Sequence, residues 1–121
     1  YTSDDVLYIN AHGTGTALND TSETAAYKIA LGQDAYKAHI SSIKGSVGHM
    51  LAAAGAAEAV ASVLALKHGI VPPTINLDEQ DPECDLDYTP NVPVEAPLTM
   101  AISDSLGFGG HNGCIAFRKI R

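Results

Sequence analysis

Tryptophan is absent from this 121-residue chain, phenylalanine occurs twice, and aromatics as a class make up 6% of it. The core is therefore built from Ala, Val, Leu and Ile within an apolar fraction of 45%. Basic residues are scarce as well: seven Lys and Arg stand against 14 Asp and Glu, a formal charge of −7. With no Lys/Arg patch to neutralise phosphates, the balance argues against a nucleic-acid partner. Only two cysteines occur, Cys84 and Cys114, with no C-x-x-C spacing. Neither a disulfide framework nor a Cys/His zinc cluster is expected, and a reducing cytoplasm is the expected setting. No secretory leader is expected. The chain opens at Tyr1, without an initiator Met and directly before an apolar run, and reads as part of a larger protein.

What is there alternates. Val6-Leu7-Tyr8-Ile9 is a short β-rich run, expected as a buried strand, ending in the loop Asn10-Ala11-His12-Gly13-Thr14-Gly15-Thr16. Asp20 or Thr21 is expected to cap a helix, with Glu23 in its first turn and Gly32 at its end. Residues 38–43 predict a second strand, followed by Lys44-Gly45-Ser46-Val47-Gly48-His49. Residues 50–67 are Ala-rich and apolar on nearly all sides, closed by Lys67-His68-Gly69. A membrane span needs ~20 mostly apolar residues. Glu58 in the middle, and Ala rather than Leu as the main residue, favour a helix buried inside a soluble protein. Residues 71–97 hold all six prolines and show no sustained period, an irregular connection long enough to wrap over something. Strands at 98–103 and 113–118 flank a glycine-rich turn, Gly107-Phe108-Gly109-Gly110. This order predicts an α/β fold with a largely parallel sheet and antiparallel members at one end.

His12 and His49 occupy equivalent places, each just past a predicted parallel strand, where loops converge on ligands in α/β sheets. A right-handed crossover brings such strands together, so both imidazoles are expected in one pocket. Two ring N–H groups aimed at one point suit donation to a developing oxyanion. The competing reading, a metal site, lacks H-E-x-x-H or a Cys/His cluster. His39, His68 and His111 lack the context and read as structural. Lys44 near an enclosed site needs an acidic partner, and Glu58 and Glu23 are both candidates. Glu58 in turn needs a polar network or a cation. The pattern G-x-x-x-x-G-K-[ST] is absent. Gly107-Phe108-Gly109-Gly110 precedes no helix, so it reads as a hairpin turn or as a gate swinging an aromatic stopper.

These residues resemble the β-ketoacyl-acyl carrier protein synthases. Asn10 to Thr16 with Asn19-Asp20-x-x-Glu23 is similar to their first-histidine motif. Lys44 to His49 followed by Leu51-Ala52-Ala53-Ala54-Gly55-Ala56-Ala57-Glu58 is similar to the second. Val71-Pro72-Pro73-Thr74-Ile75-Asn76, Asp81-Pro82-Glu83-Cys84-Asp85-Leu86-Asp87-Tyr88 and Gly107-Phe108-Gly109-Gly110-His111-Asn112 match the later segments. Five motifs in order cover nearly the whole chain, residues 1–121.

The resemblance implies the C-terminal half of a thiolase-like fold, lacking the first strand of that half, which would sit centrally in the sheet. It implies decarboxylative Claisen condensation of an acyl thioester with malonyl-acyl carrier protein, in a soluble homodimer needing no cofactor. His12 and His49 would hold the enolate and Lys44 would support them, with Asp20, Glu23 and Glu58 in the supporting network. Leu106, Gly107, Phe108 and Gly109 would form the gate of the acyl pocket. Asn10, Glu58, Ser103 and Asp104 fall where some members hold a structural monovalent or divalent cation. The family's nucleophile is a cysteine in the other half, so this piece alone is expected to be inactive. Gly45, Asp104, Leu106 and His111 stand where Ser, Asn, Phe and Thr are usual. The leading pathway reading is fatty-acid elongation; the rivals are an aromatic-polyketide ketosynthase and its non-catalytic chain-length partner subunit.

Overall fold

Leu7-Tyr8-Ile9-Asn10 is buried along its whole length and forms β1 (Leu7–Asn10), one residue later than the apolar run suggests. In the computed structural model, which describes residues 1–120, β1 lies inside a four-stranded sheet. The strand order is β2-β1-β5-β6, with β2 at His39–Ser41, β5 at Met100–Leu106 and β6 at Asn112–Arg118. β1 runs parallel to β2 and to β5, while β5 and β6 form an antiparallel hairpin. The expected central strand has no place: β1 and β5 pair directly over four positions, from Leu7–Met100 to Asn10–Ser103. The unpaired positions of this sheet are its outer edges, and six of the seven β6 residues are exposed.

Because side chains alternate across a strand, β1 divides the chain's interior in two. Leu7, Ile9 and Ala11 face one side, packing with Tyr27, Ala35, Ala38, Ile40 and Leu86. Tyr8 faces the other, with Ala65, Leu66, Val71, Leu98 and Ala101. The helix α1 (Ala17–Leu31) contributes Tyr27 to the first side. It starts three residues ahead of the expected cap. Thr16, in extended conformation, is the flanking residue, and its carbonyl accepts the Asp20 N–H at 3.0 Å. Thr16, Asp20 and Thr21 all satisfy the cap preference, so composition alone misplaces the start. Glu23 consequently sits in the second turn and turns inward. Gly32, at φ 58°, ends α1 as expected.

A helical turn, α2 (Lys44–Val47), follows β2; then comes a 3₁₀ turn at Leu51–Ala53, and α3 (Ala54–His68) is capped by the left-handed Gly69. α3 lays Ala54, Glu58, Ser62, Ala65 and Leu66 on the second side of the sheet, leaving Val60, Val63 and Leu64 exposed. The expected all-round burial is thus only half met within this chain. The stretch Leu51–His68 is long and apolar enough, at mean hydropathy 1.2, to cross a membrane by length and composition alone. Its two polar residues away from the C-terminal end, Glu58 and Ser62, are buried and face the sheet, as in a packing layer.

The proline-rich connection is tied at its base by two short strands, β3 (Ile70–Val71) and β4 (Val94–Glu95). It runs back over β2, where Ile40 donates to the Asp87 carbonyl at 3.0 Å. It is clamped to α1 by the Lys28–Asp85 pair.

Open sheet edges and an uncovered apolar helix face favour association. A polypeptide of residues 1–121 alone is expected to sediment above monomer mass, increasingly so with concentration. A monomer with one cooperative unfolding transition would contradict this reading of the exposed surfaces.

Candidate active site

The two predicted parallel strands deliver their histidines side by side. The His12 and His49 ring centroids lie 5.5 Å apart with their planes at 88°. The loop after β1 is held by Glu23, whose carboxylate accepts the backbone N–H of His12 and of Gly13, both at 2.8 Å, and the Asn19 amide at 2.7 Å. Gly13, at φ 46°, crosses directly over the second loop. A Cβ there would lie 2.4 Å from Cβ of Ser42, whose hydroxyl donates to the Gly13 carbonyl at 3.0 Å. Only glycine permits this crossing, and the crossing fixes the separation of the two loops.

His49 is oriented by its own backbone. The Leu51 N–H donates to Nδ1 at 3.1 Å, with Leu51 held at φ 51°, an uncommon conformation for a leucine. A neutral imidazole that accepts at Nδ1 carries its proton on Nε2, so His49 presents an N–H donor. His12 is buried, and its basicity is pushed down first by that burial, then by the Lys44 ammonium, against the opposing pull of Glu23 and Glu58. His12 therefore stays uncharged at neutral pH, the form that donates a hydrogen bond without first giving up a proton.

Lys44 resolves its two candidate partners in favour of Glu58. Its ammonium bonds Glu58 Oε1, with the two side chains 7% and 2% exposed. Glu23 belongs instead to the His12 loop. Next to the pair lies a network that the sequence reading missed. The Tyr8 hydroxyl meets Ser41 Oγ at 3.1 Å and accepts from the Asn10 amide at 3.0 Å. Burial is the main cause pushing the Tyr8 phenol up to about 12. The alternation of Tyr8 with Asn10 along β1 was the available signal; Ser41 carried none. Asn10 Oδ1, His12 Nδ1 and Glu58 Oε2 remain buried without a hydrogen-bond partner.

The four residues proposed for a cation do not assemble. Asn10 pairs in register with Ser103, on the same sheet side as Tyr8 and α3. Asp104, one residue further along the pleat, faces α1, where both its oxygens lie within 3.1 Å of the Tyr27 hydroxyl. Among the described residues no group of three or more His, Cys, Asp and Glu side chains is placed to hold a metal ion.

A cavity of about 630 Å³ opens beside the histidines, lined by Gly13, Thr14, Asp20, Glu23, Lys44, His49, Ile75 and Tyr88, among others. Asp20 lies at this wall, accepting the Gly15 N–H at 3.3 Å. The residues of the expected gate, Leu106 to Gly109, occupy the β5–β6 hairpin end, outside the lining of this cavity, and Phe108 is 91% exposed. Cys84 lines the cavity from a turn, donating its N–H to the Asp81 carbonyl, and Cys114 is exposed on β6. Neither stands at a helix N-terminus, where a nucleophilic thiolate is favoured. His39, His68 and His111 lie away from the pair: His39 sits 3.7 Å from Asp87, His68 ends α3, and His111 follows the hairpin turn.

Solved ketosynthases share this fold. The chain superposes with TM-score 0.94 and 43% identity on a type II polyketide ketosynthase solved with its acyl-carrier protein and a hexaketide, covering 99% of this chain and 29% of that one. A beta-ketoacyl synthase from Burkholderia phymatum gives TM-score 0.89 at 37% identity, covering 98% and 29%. The fold is the C-terminal half of a thiolase-like ketosynthase. Residues 1–78 match the beta-ketoacyl synthase C-terminal domain, and the chain belongs to that family. Curated relatives include the tetracenomycin polyketide synthase ketoacyl synthase alpha subunit of Streptomyces glaucescens, 55% identical over 90% of this chain and 26% of its own. Another is 3-oxoacyl-[acyl-carrier-protein] synthase 2 of Synechocystis sp., 54% identical over 94% and 27%. The chain thus spans about a quarter of the length of these relatives.

Removing one member of a buried ion pair leaves the other charge uncompensated. In the intact protein Glu58→Ala is expected to cost about 3–5 kcal/mol, read as a lowered denaturant midpoint. A loss below ~1 kcal/mol would show that Lys44 has another partner.

Proposed function

We propose that the intact protein containing this chain catalyses decarboxylative Claisen condensation of an acyl thioester with malonyl-acyl carrier protein, as a type II polyketide ketosynthase. The observation that carries the chemistry is the histidine pair, two imidazoles from adjacent strand ends with ring centroids 5.5 Å apart. When the malonyl group loses carbon dioxide, the electron pair of the broken bond moves onto the thioester carbonyl as an enolate. The imidazole N–H groups donate to that oxygen, and preorganised donors stabilise charge most where it develops. The enolate carbon then attacks the acyl thioester, whose covalent attachment to a cysteine lies outside this chain.

Lys44 contributes through charge. Its ammonium, fixed by Glu58, adds to burial, the larger cause, in holding His12 in its uncharged form. The carrier protein is the proposed partner, with dimerisation completing the molecule. The polyketide assignment rests on similarity: a ketosynthase holding a hexaketide and a ketosynthase/chain length factor at TM-score 0.92 are both close in structure. The fatty-acid reading retains support from the Synechocystis relative, at nearly equal identity. Retention of both histidines favours a condensing subunit over a silent chain-length partner.

Carbon dioxide release from malonyl-acyl carrier protein by the intact enzyme tests this directly. His12→Ala and His49→Ala are each expected to slow it ~100-fold or more. Near-normal release by either variant removes that residue from the mechanism. Assayed with its native chain-length partner and excess malonyl-acyl carrier protein, the enzyme is expected to make a polyketone by repeated condensation; a β-ketoacyl thioester from a single condensation as the only product would return it to fatty-acid elongation.

A further inference from the structure

On the α1 side of the sheet, the Tyr27 hydroxyl sits among three carboxylate oxygens: Glu23 Oε1 at 2.8 Å and the two Asp104 oxygens at 3.1 and 3.0 Å. A phenol has one proton to donate. With both carboxylates ionised, at least one of these contacts would set a lone pair against an anion in a buried site. One carboxyl must therefore carry a proton.

Which one follows from the other donors. Glu23 already accepts two backbone N–H groups and the Asn19 amide, all within 2.8 Å, an environment that favours the ionised form. Asp104 has no comparable set, and its cross-strand neighbour on β6 is Cys114, which offers no positive charge. Among the described residues, the charged and titratable groups that act on it are Glu23 and Tyr27 from α1 and Cys114 from β6, none of them a cation.

We propose that Asp104 is a neutral carboxylic acid in the working enzyme and a positioning residue, its proton and that of Tyr27 completing a chain that holds Glu23 on the His12–Gly13 backbone. The chain of bonds runs from the Asp104 O–H to the Tyr27 oxygen, from the Tyr27 O–H to Glu23, and from the His12 and Gly13 N–H groups to the same carboxylate. Burial first, then the Glu23 charge, raise Asp104 to about 7. The folded value lies above that of an unfolded aspartate, so the stabilisation is full below the unfolded value and is lost as pH rises through about 7. Ionised Asp104 repels Glu23 and releases Tyr27, loosening the loop that aims His12. This inference rests on the condensation reading only for its effect on rate.

The test uses the intact enzyme, wild type and Asp104→Asn, in two measurements. Wild-type kcat for malonyl decarboxylation is expected to fall on the alkaline side with a one-proton slope, about tenfold per pH unit beyond its midpoint, with KM little changed. In D104N, whose neutral amide replaces the acid, that limb is absent. Wild-type minus D104N infrared difference spectra are expected to show a protonated carboxylic acid carbonyl band at pH 6 that disappears with the same midpoint; Tyr27→Phe shifts it. Absence of the band at pH 6, or an unchanged alkaline limb in D104N, overturns the proposal. If the wild type is inactive at every pH, the condensation reading fails, and the infrared band alone still decides where the proton lies.

Discussion

The buried bond between Lys44 and Glu58 is the constraint on which the rest of the site depends. It joins the turn after β2 to the N-terminal part of α3, fastening the apolar helix to the sheet close to His12. It also sets the local charge. An ammonium without its carboxylate would be costly to bury, and one placed beside His12 adds to burial in disfavouring the charged imidazole. One ion pair thus serves packing and local charge together, because the same two side chains lie at the helix–sheet contact and beside His12.

A second constraint is steric. The loops after β1 and β2 cross at Gly13 and Ser42 with no room for a side chain on the former. Glu23 gathers the His12 end from α1, while Leu51 orients His49 from its own segment. Each histidine is therefore positioned by a group outside its strand. The strands supply direction, and the carboxylate and the strained leucine supply aim.

Much of this was legible in the sequence. The alternation of strand and helix, Gly32 and Gly69 as helix ends, and two histidines in equivalent loops follow from periodicity and turn chemistry. Glu58 announced a buried partner because a lone charge in an apolar helix has to be satisfied, and that partner is Lys44. The start of α1 was misplaced because Thr16, Asp20 and Thr21 are equally good caps. The cation set failed because adjacent residues on a strand face opposite sides: Ser103 joins Asn10 while Asp104 joins Tyr27. The gate expected at Phe108 and the full burial of α3 involve surfaces this chain alone leaves exposed. The Tyr8–Ser41 and Tyr27–Asp104 contacts span tens of residues, beyond the reach of local pattern.

The central claim is that both imidazoles are uncharged N–H donors sharing one target. Nitrogen-15 NMR of the histidine rings in the intact protein measures this most directly, since each nitrogen's shift reports whether it carries a proton. The account predicts neutral rings for His12 and His49 at pH 7, with the His49 proton on Nε2 and His12 remaining neutral to lower pH than a free imidazole. A charged His12 at pH 7, or a His49 proton on Nδ1, would contradict it.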